Sequence, residues 1–333
     1  MNTELGVLLA LVAGVMMGNC MVPLNYLRNW HWENAWIAFS LVALLILPWS
    51  LAFLRVPHLL PVYAHVDGRS FVMPFLYGAG WGVAQVLFGL AVVRIGMALS
   101  FATTIGLSAG LGTLVPILIK DPHVLATGHG LVLLLGLLLA LLGVVVCSWA
   151  GRQRERARRD QAAQQGSYMA GILLAAGAGL LAPMLNYALA FGGVFLLEAL
   201  RQHARPADAP YAVWPIALAG GAVPNLAYAV YLANKNKTWS KFFPAWPDLL
   251  LGSLMGILWM GSTAIYGTAT TFLGLLGASV GWSIFQICII LTANTSGWLS
   301  GEWKGTSLPL RAMLWTGLVL LGSATVAIAY GSH

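Results

Sequence analysis

Residues 131–150 read LVLLLGLLLALLGVVVCSWA, twenty positions without a charged side chain, and the next nine, GRQRERARR, hold five arginines. An α-helix rises 1.5 Å per residue, so the apolar run is long enough to cross the ~30 Å hydrocarbon core of a bilayer. The arginines behind it are costly to place in hydrocarbon and mark where the span ends. Blocks of the same kind recur along the chain and predict helices at 4–27, 34–54, 71–92, 96–118, 129–149, 168–190, 210–233, 249–271, 276–299 and 309–330. Of the 333 residues, 59% are hydrophobic and 8% charged, with mean hydropathy +0.81. A soluble domain would carry roughly a quarter charged residues. The expected fold is an all-α polytopic membrane protein with ten transmembrane helices.

The Gln/Ala-rich stretch behind the arginines, 151–166, predicts a cytosolic linker between two sets of five helices, at 1–150 and 167–333. Connections after the odd-numbered helices, taken with Arg311 at the start of the tenth helix, hold twelve of the seventeen Lys and Arg. Positive charge is retained in the cytoplasm, which predicts an inner-membrane protein with this linker inside and both termini outside. The same distribution explains the net charge of +7 by orientation rather than by nucleic-acid binding. Met1-Asn2-Thr3-Glu4 lacks the basic start of a secretory signal, so the first apolar run reads as a resident span.

The two sets resemble each other. Gly6-Val7-Leu8-Leu9-Ala10 is echoed by Gly171-Ile172-Leu173-Leu174-Ala175, and Pro23-Leu24-Asn25-Tyr26 by Pro183-Met184-Leu185-Asn186-Tyr187. Gly78-xxx-Gly82 and Phe88-Gly89 find echoes in Gly252-xxx-Gly256 and Tyr266-Gly267. Five spans per set force the second to enter the membrane with opposite polarity, which predicts an inverted repeat with a site between its halves. Pro23 and Pro183 fall at matching places and predict matched helix interruptions, the usual surroundings of a transporter's central site.

Candidate site residues are the polar and aromatic side chains inside the spans. Buried amides need partners, so Asn19, Asn25, Gln85, Asn186 and Gln286 face either neighbouring helices or a wet cavity. Trp81 precedes Gln85, and Trp282 precedes Gln286, by four residues, which puts an indole and an amide on one helix face. Such a surface suits a sugar, with its apolar C–H face and its hydroxyls. Trp259 and Tyr266 are expected to line the same cavity. The glycine pairs, such as Gly14/Gly18 and Gly78/Gly82, predict close helix packing. Trp30, Trp32, Trp36, Trp49, Trp149, Trp246, Trp303 and Trp315 read as interface anchors.

The ten acidic residues lie near helix ends or in loops, with Glu33, Glu198 and Glu302 coming closest to the membrane. Glu33 is expected to pair with Arg28, and Glu302 to flank the tenth helix. Cys20, Cys147 and Cys288 are far apart, without metal-ligand or disulfide spacing. Walker A and HExxH sequences are absent, and the two GxSxG matches, at 106–110 and 277–281, fall inside apolar spans rather than on a strand-to-helix turn, which disfavours an ATP-driven pump or a typical hydrolase. No catalytic, metal or cofactor site is expected. The rival readings are a carrier of another polar metabolite, such as an amino acid or nucleoside, and a membrane enzyme or scaffold acting on lipids.

One ordered series of motifs narrows the choice. Trp30-His31-Trp32-Glu33-Asn34-Ala35-Trp36, Leu47-Pro48-Trp49, Tyr77-Gly78-Ala79-Gly80-Trp81-Gly82, Phe88-Gly89-Leu90, Ile95 through Ser100, Gly112-Thr113-Leu114-Val115-Pro116-Ile117 and Gly301-Glu302-Trp303 resemble the L-rhamnose–proton symporter family. That family belongs to the drug/metabolite transporter superfamily. The resemblance implies ten helices in a five-plus-five inverted repeat and uptake of a deoxyhexose such as L-rhamnose with protons. The chain departs from the family pattern in Gly277-Ala278-Ser279-Val280-Gly281-Trp282, which has no acidic residue before the Trp.

Overall fold

A computed structural model describes residues 3–158, 167–243, 245–274, 277–299, 301 and 303–331. Ten helices in it are long and apolar enough to cross a membrane. They are α1 (Thr3–Tyr26), α2 (Trp32–Arg55), α3 (Gly68–Ile95), α4 (Leu99–Lys120), α5 (Gly128–Arg154), α6 (Tyr168–Arg201), α7 (Trp214–Asn236), α8 (Trp246–Phe272), α9 (Gly277–Leu299) and α10 (Leu308–Gly331). The protein is a multi-pass membrane protein. Backbone polar groups in hydrocarbon must be satisfied within the segment, and helices do this. Large apolar side chains such as Leu54, Leu173, Val319 and Val326 point outward from the bundle, as a lipid-facing surface requires.

Proline and glycine explain most irregularities. Pro48 has no N–H to donate back along α2, and the turn before it, Leu41–Ile46, widens to π geometry. α1 tightens into a 3₁₀ turn at Val22–Tyr26, with Pro23 near its start. α6 breaks at Ala182-Pro183 and again at Gly192, giving helical pieces Tyr168–Leu181, Met184–Phe191 and Gly193–Arg201. The span thus runs beyond the predicted 168–190. Interruptions do occur at both matched prolines. The first part of the predicted linker is helical too, because the helix of α5 continues to Arg158; residues 159–166 and Glu302 lie outside the described residues.

Helix partners follow a rule. α1 packs on α8 and α9, and α6 packs on α3 and α4; α2 packs on α8, and α7 on α3. α4 packs on α5, and α9 on α10, while α2–α7, α4–α9 and α5–α10 also pair. Adding five to each helix number, counting on from α1 after α10, turns the first member of each couple into the second and leaves the last three pairs unchanged. Small residues make the closest of these contacts. A Cβ on Gly78 would lie 1.6 Å from the Ala217 carbonyl oxygen of α7, and one on Gly14 2.4 Å from the Cys288 Cβ of α9. Backbones this near require glycine.

Candidate functional site

Four helices bring polar and aromatic side chains together in the interior. On α8, Tyr266 is fully buried, and its ring stacks on Phe285 at 4.9 Å and meets Trp282 edge-on at 5.8 Å. Its hydroxyl donates to Asn186 Oδ1 at 2.5 Å, with the Ala278 carbonyl also 3.1 Å away. Asn186, itself fully buried on α6, donates through Nδ2 to the Gly112 carbonyl of α4 at 3.0 Å. A Cβ on Gly112 would lie 2.3 Å from the Trp282 Nε1, so only glycine lets the indole lie against α4. Trp282 Nε1 donates to the Ser108 carbonyl at 3.0 Å, and Gln286 Nε2 to the Ser108 hydroxyl at 3.3 Å. Thr113 and Ser283 add a buried hydroxyl–hydroxyl contact between α4 and α9.

A second group adjoins this one. The Trp81 and Trp259 rings lie 5.2 Å apart, and Phe39 of α2 meets Trp259 edge-on at 6.1 Å. Trp36 continues the row, 4.8 Å from Phe39, and donates through Nε1 to Asn225 Oδ1 at 3.0 Å. Gln85 lies one turn beyond Trp81 and is half-buried.

Of the nine residues singled out from sequence, Trp81, Asn186, Trp259, Tyr266, Trp282 and Gln286 belong to these two groups, and Gln85 adjoins them. The remaining two sit apart. Asn19 donates to Val15 of its own helix at 3.0 Å and accepts from Ser296 of α9 at 2.8 Å, a bridge between spans. Asn25 is exposed in the 3₁₀ turn that ends α1. The similarity of its motif to that of Asn186 does not give it the same surroundings. Ser108, Thr113, Ser283 and Phe285 were not anticipated. A weak signal existed for Ser108, since Thr104, Ser108 and Gly112 recur every four residues along α4 and form a small, polar face.

The bundle's ends hold its buried carboxylates. Glu33 accepts from Asn236 Nδ2 and Thr238 Oγ1, both at 3.0 Å, rather than pairing with Arg28. Asp248 accepts backbone N–H groups of Arg28, Asn29 and Trp30 at 2.7–2.9 Å. At the other end, Asp208 accepts from Arg55 Nε at 2.9 Å and Arg205 Nε at 2.6 Å. Two of the expected interface anchors are instead buried: Trp30 packs beneath Phe242, and Trp303 lies under the Arg154 guanidinium at 4.9 Å. Near Trp303 a cavity of about 200 Å³ is lined by Phe101 and Ile105 of α4 and by Ile290 and Asn294 of α9. Ile290 stands one turn from Gln286.

This chain is similar to the L-rhamnose-proton symporters of Yersinia pestis (strain Pestoides F) and Yersinia pseudotuberculosis serotype O:1b (strain IP 31758). Each is 27% identical to it over 340 residues, covering 97% of this chain and 96% of the relative. The profile of the L-rhamnose-proton symport protein family matches residues 1–332. A match of that extent, on a ten-helix bundle with these motifs in order, shows that the chain belongs to the L-rhamnose-proton symport protein family.

Proposed function

We propose that this protein is a secondary transporter that takes up L-rhamnose, or a closely similar deoxyhexose, together with protons. The observation that carries the reading is the interior group itself. It joins α4, α6, α8 and α9 through Tyr266, Asn186, Trp282 and Gln286, and each of those helices pairs with members of the other five-helix set. An indole face packs on the apolar face of a pyranose, and amides bind its hydroxyls. Such a site rejects solutes lacking those hydroxyls, because its own buried groups would be left unmatched.

On this reading residues 1–150 and 167–333 are two inverted repeats joined by the basic linker 151–166, which stays in the cytoplasm. The protein lies in the inner membrane with both termini outside. Trp81, Gln85, Asn186, Trp259, Tyr266, Trp282 and Gln286 form the solute site; Asn19 and Asn25 serve helix packing and the helix end. Its partners are the sugar, protons and surrounding lipids, and no cofactor takes part.

Uptake of labelled L-rhamnose by proteoliposomes, with and without an imposed pH gradient, tests the proposal. The expected result is accumulation that needs the gradient and collapses with a protonophore. Accumulation without any gradient dependence would contradict the coupling; no uptake of L-rhamnose beside uptake of an amino acid or nucleoside would contradict the solute.

A further inference from the structure

α3 and α8 also share a pattern at an offset of 178 residues, one helical turn from the 174 of the Gly-xxx-Gly echo. Gly78, Trp81, Phe88 and Gly89 correspond to Gly256, Trp259, Tyr266 and Gly267. The early glycines behave alike: Gly78 presses on α7, and Gly256 on α2, where a Cβ would lie 2.9 Å from the Val42 Cβ. The later glycines do not. A Cβ on Gly267 would lie 2.9 Å from Trp214 Nε1 and 3.3 Å from the Pro210 Cβ, whereas one on Gly89 would meet nothing within 4 Å.

Gly89 shares a helix face with Gly82, whose Cβ would lie 2.5 Å from both the Gly221 carbonyl and Pro224. α3 therefore touches α7 at Gly82, while the space beside Gly89 is open. Trp36, the α2 residue that stands 178 positions before Trp214, is engaged elsewhere, on Asn225. The open space lies at the arginine-rich end of the bundle. A Cβ on Gly171, at the start of α6, would touch Ile95 and Arg94, and Arg152 lies 5.6 Å above the Tyr168 ring nearby. The opposite end is tied by Asp208 with Arg55 and Arg205, by Tyr63 Oη on the Ala212 carbonyl, and by Thr268 Oγ1 on the Ala207 carbonyl. The arginine-rich end has ties of its own, Glu33 with Asn236 and Thr238 and Asp248 with the 28–30 backbone, but none of these lies at Gly89.

We infer that Gly89 lines the solute's passage to the arginine-rich side, unobstructed beside that glycine, and that Gly267 lines the passage to the other side, closed here by Trp214. In the exchanged conformation the two glycines swap surroundings. The inference rests on the transporter reading for what passes through, but its geometry is testable without any solute.

Single cysteines at Gly89 and Gly267 provide the test, with wild type as blank because Cys20, Cys147 and Cys288 are buried. A membrane-impermeant thiol reagent is applied to sealed vesicles of each orientation. Gly89→Cys is expected to label from the linker face at least ~10-fold faster than Gly267→Cys does from the opposite face, the ratio set by a minor conformation of a tenth or less. Adding Trp214→Ala to Gly267→Cys makes room for the side chain and is expected to restore labelling from the opposite face. A Gly89→Cys that stays unlabelled from the linker face would overturn the inference. So would a Gly267→Cys that labels as fast as Gly89→Cys, or a Trp214→Ala/Gly267→Cys double variant that stays protected. Intact labelling with no L-rhamnose uptake would discard the solute and leave the two passages standing.

Discussion

The indole rings of Trp81 and Trp259 lie 5.2 Å apart and tilted by 39°, one on α3 and the other on α8. They occupy the same place in the pattern the two helices share. Both rings are buried in the same hydrophobic cluster of the interior. An aromatic pair of this kind contributes ~0.5–1.5 kcal/mol beyond its buried area. Trp81→Ala is expected to lower the thermal midpoint in detergent and abolish uptake, whereas Trp81→Phe keeps the midpoint near that of wild type. Equal midpoints for Trp81→Ala and wild type would show that the pair does not hold the interior together.

The Tyr266–Asn186 contact makes a sharper claim. Tyr266→Phe removes the donor from a buried amide oxygen, at a cost of about 1–3 kcal/mol in water-soluble proteins and about 1 kcal/mol in bilayer helices. Asn186→Leu removes the amide instead. Unfolding measurements on both single variants and the double should give a double-variant loss smaller than the sum. Strict additivity would mean the two groups do not interact.

Gly78 offers a steric test. With a Cβ 1.6 Å from the Ala217 carbonyl oxygen, Gly78→Ala cannot be accommodated without parting α3 from α7. Size-exclusion profiles after extraction should show aggregated or degraded protein for Gly78→Ala and a monodisperse peak for Gly89→Ala, whose Cβ meets open space. A well-behaved Gly78→Ala would contradict the α3–α7 packing.

Asp208 is buried between the side chains of Arg55 and Arg205, themselves partly exposed. Neutralising it in Asp208→Asn leaves two guanidinium groups without their shared anion and loosens the tie at the end opposite the arginine-rich one. Thiol labelling of Gly267→Cys in that background should rise, with expression unchanged. No change in labelling would show that the ion triad does not keep this end closed.

Much of this was legible in the sequence because bilayer physics writes in long blocks. Every one of the ten spans has its predicted counterpart, and α5 with its arginines was unmistakable. What escaped was anything set by contacts between distant helices. Asn25 and Asn186 follow equivalent prolines, yet one is exposed at a helix end and the other is locked between Gly112 and Tyr266. Glu33 had Arg28 five residues away in sequence and found Asn236 and Thr238 instead. Ser108 carries two contacts of the interior group, but hydroxyls are too common in membrane helices to stand out. The asymmetry between Gly89 and Gly267 is a property of one conformation, which no sequence pattern records.

The most direct test of the central claim is L-rhamnose counterflow into proteoliposomes containing wild type, Gln286→Leu or Trp282→Ala. Because Gln286 and Trp282 both bond Ser108 across α4 and α9, wild type should exchange label, while both variants insert normally and exchange none. Exchange at the wild-type rate in both variants would contradict a solute site between the two halves.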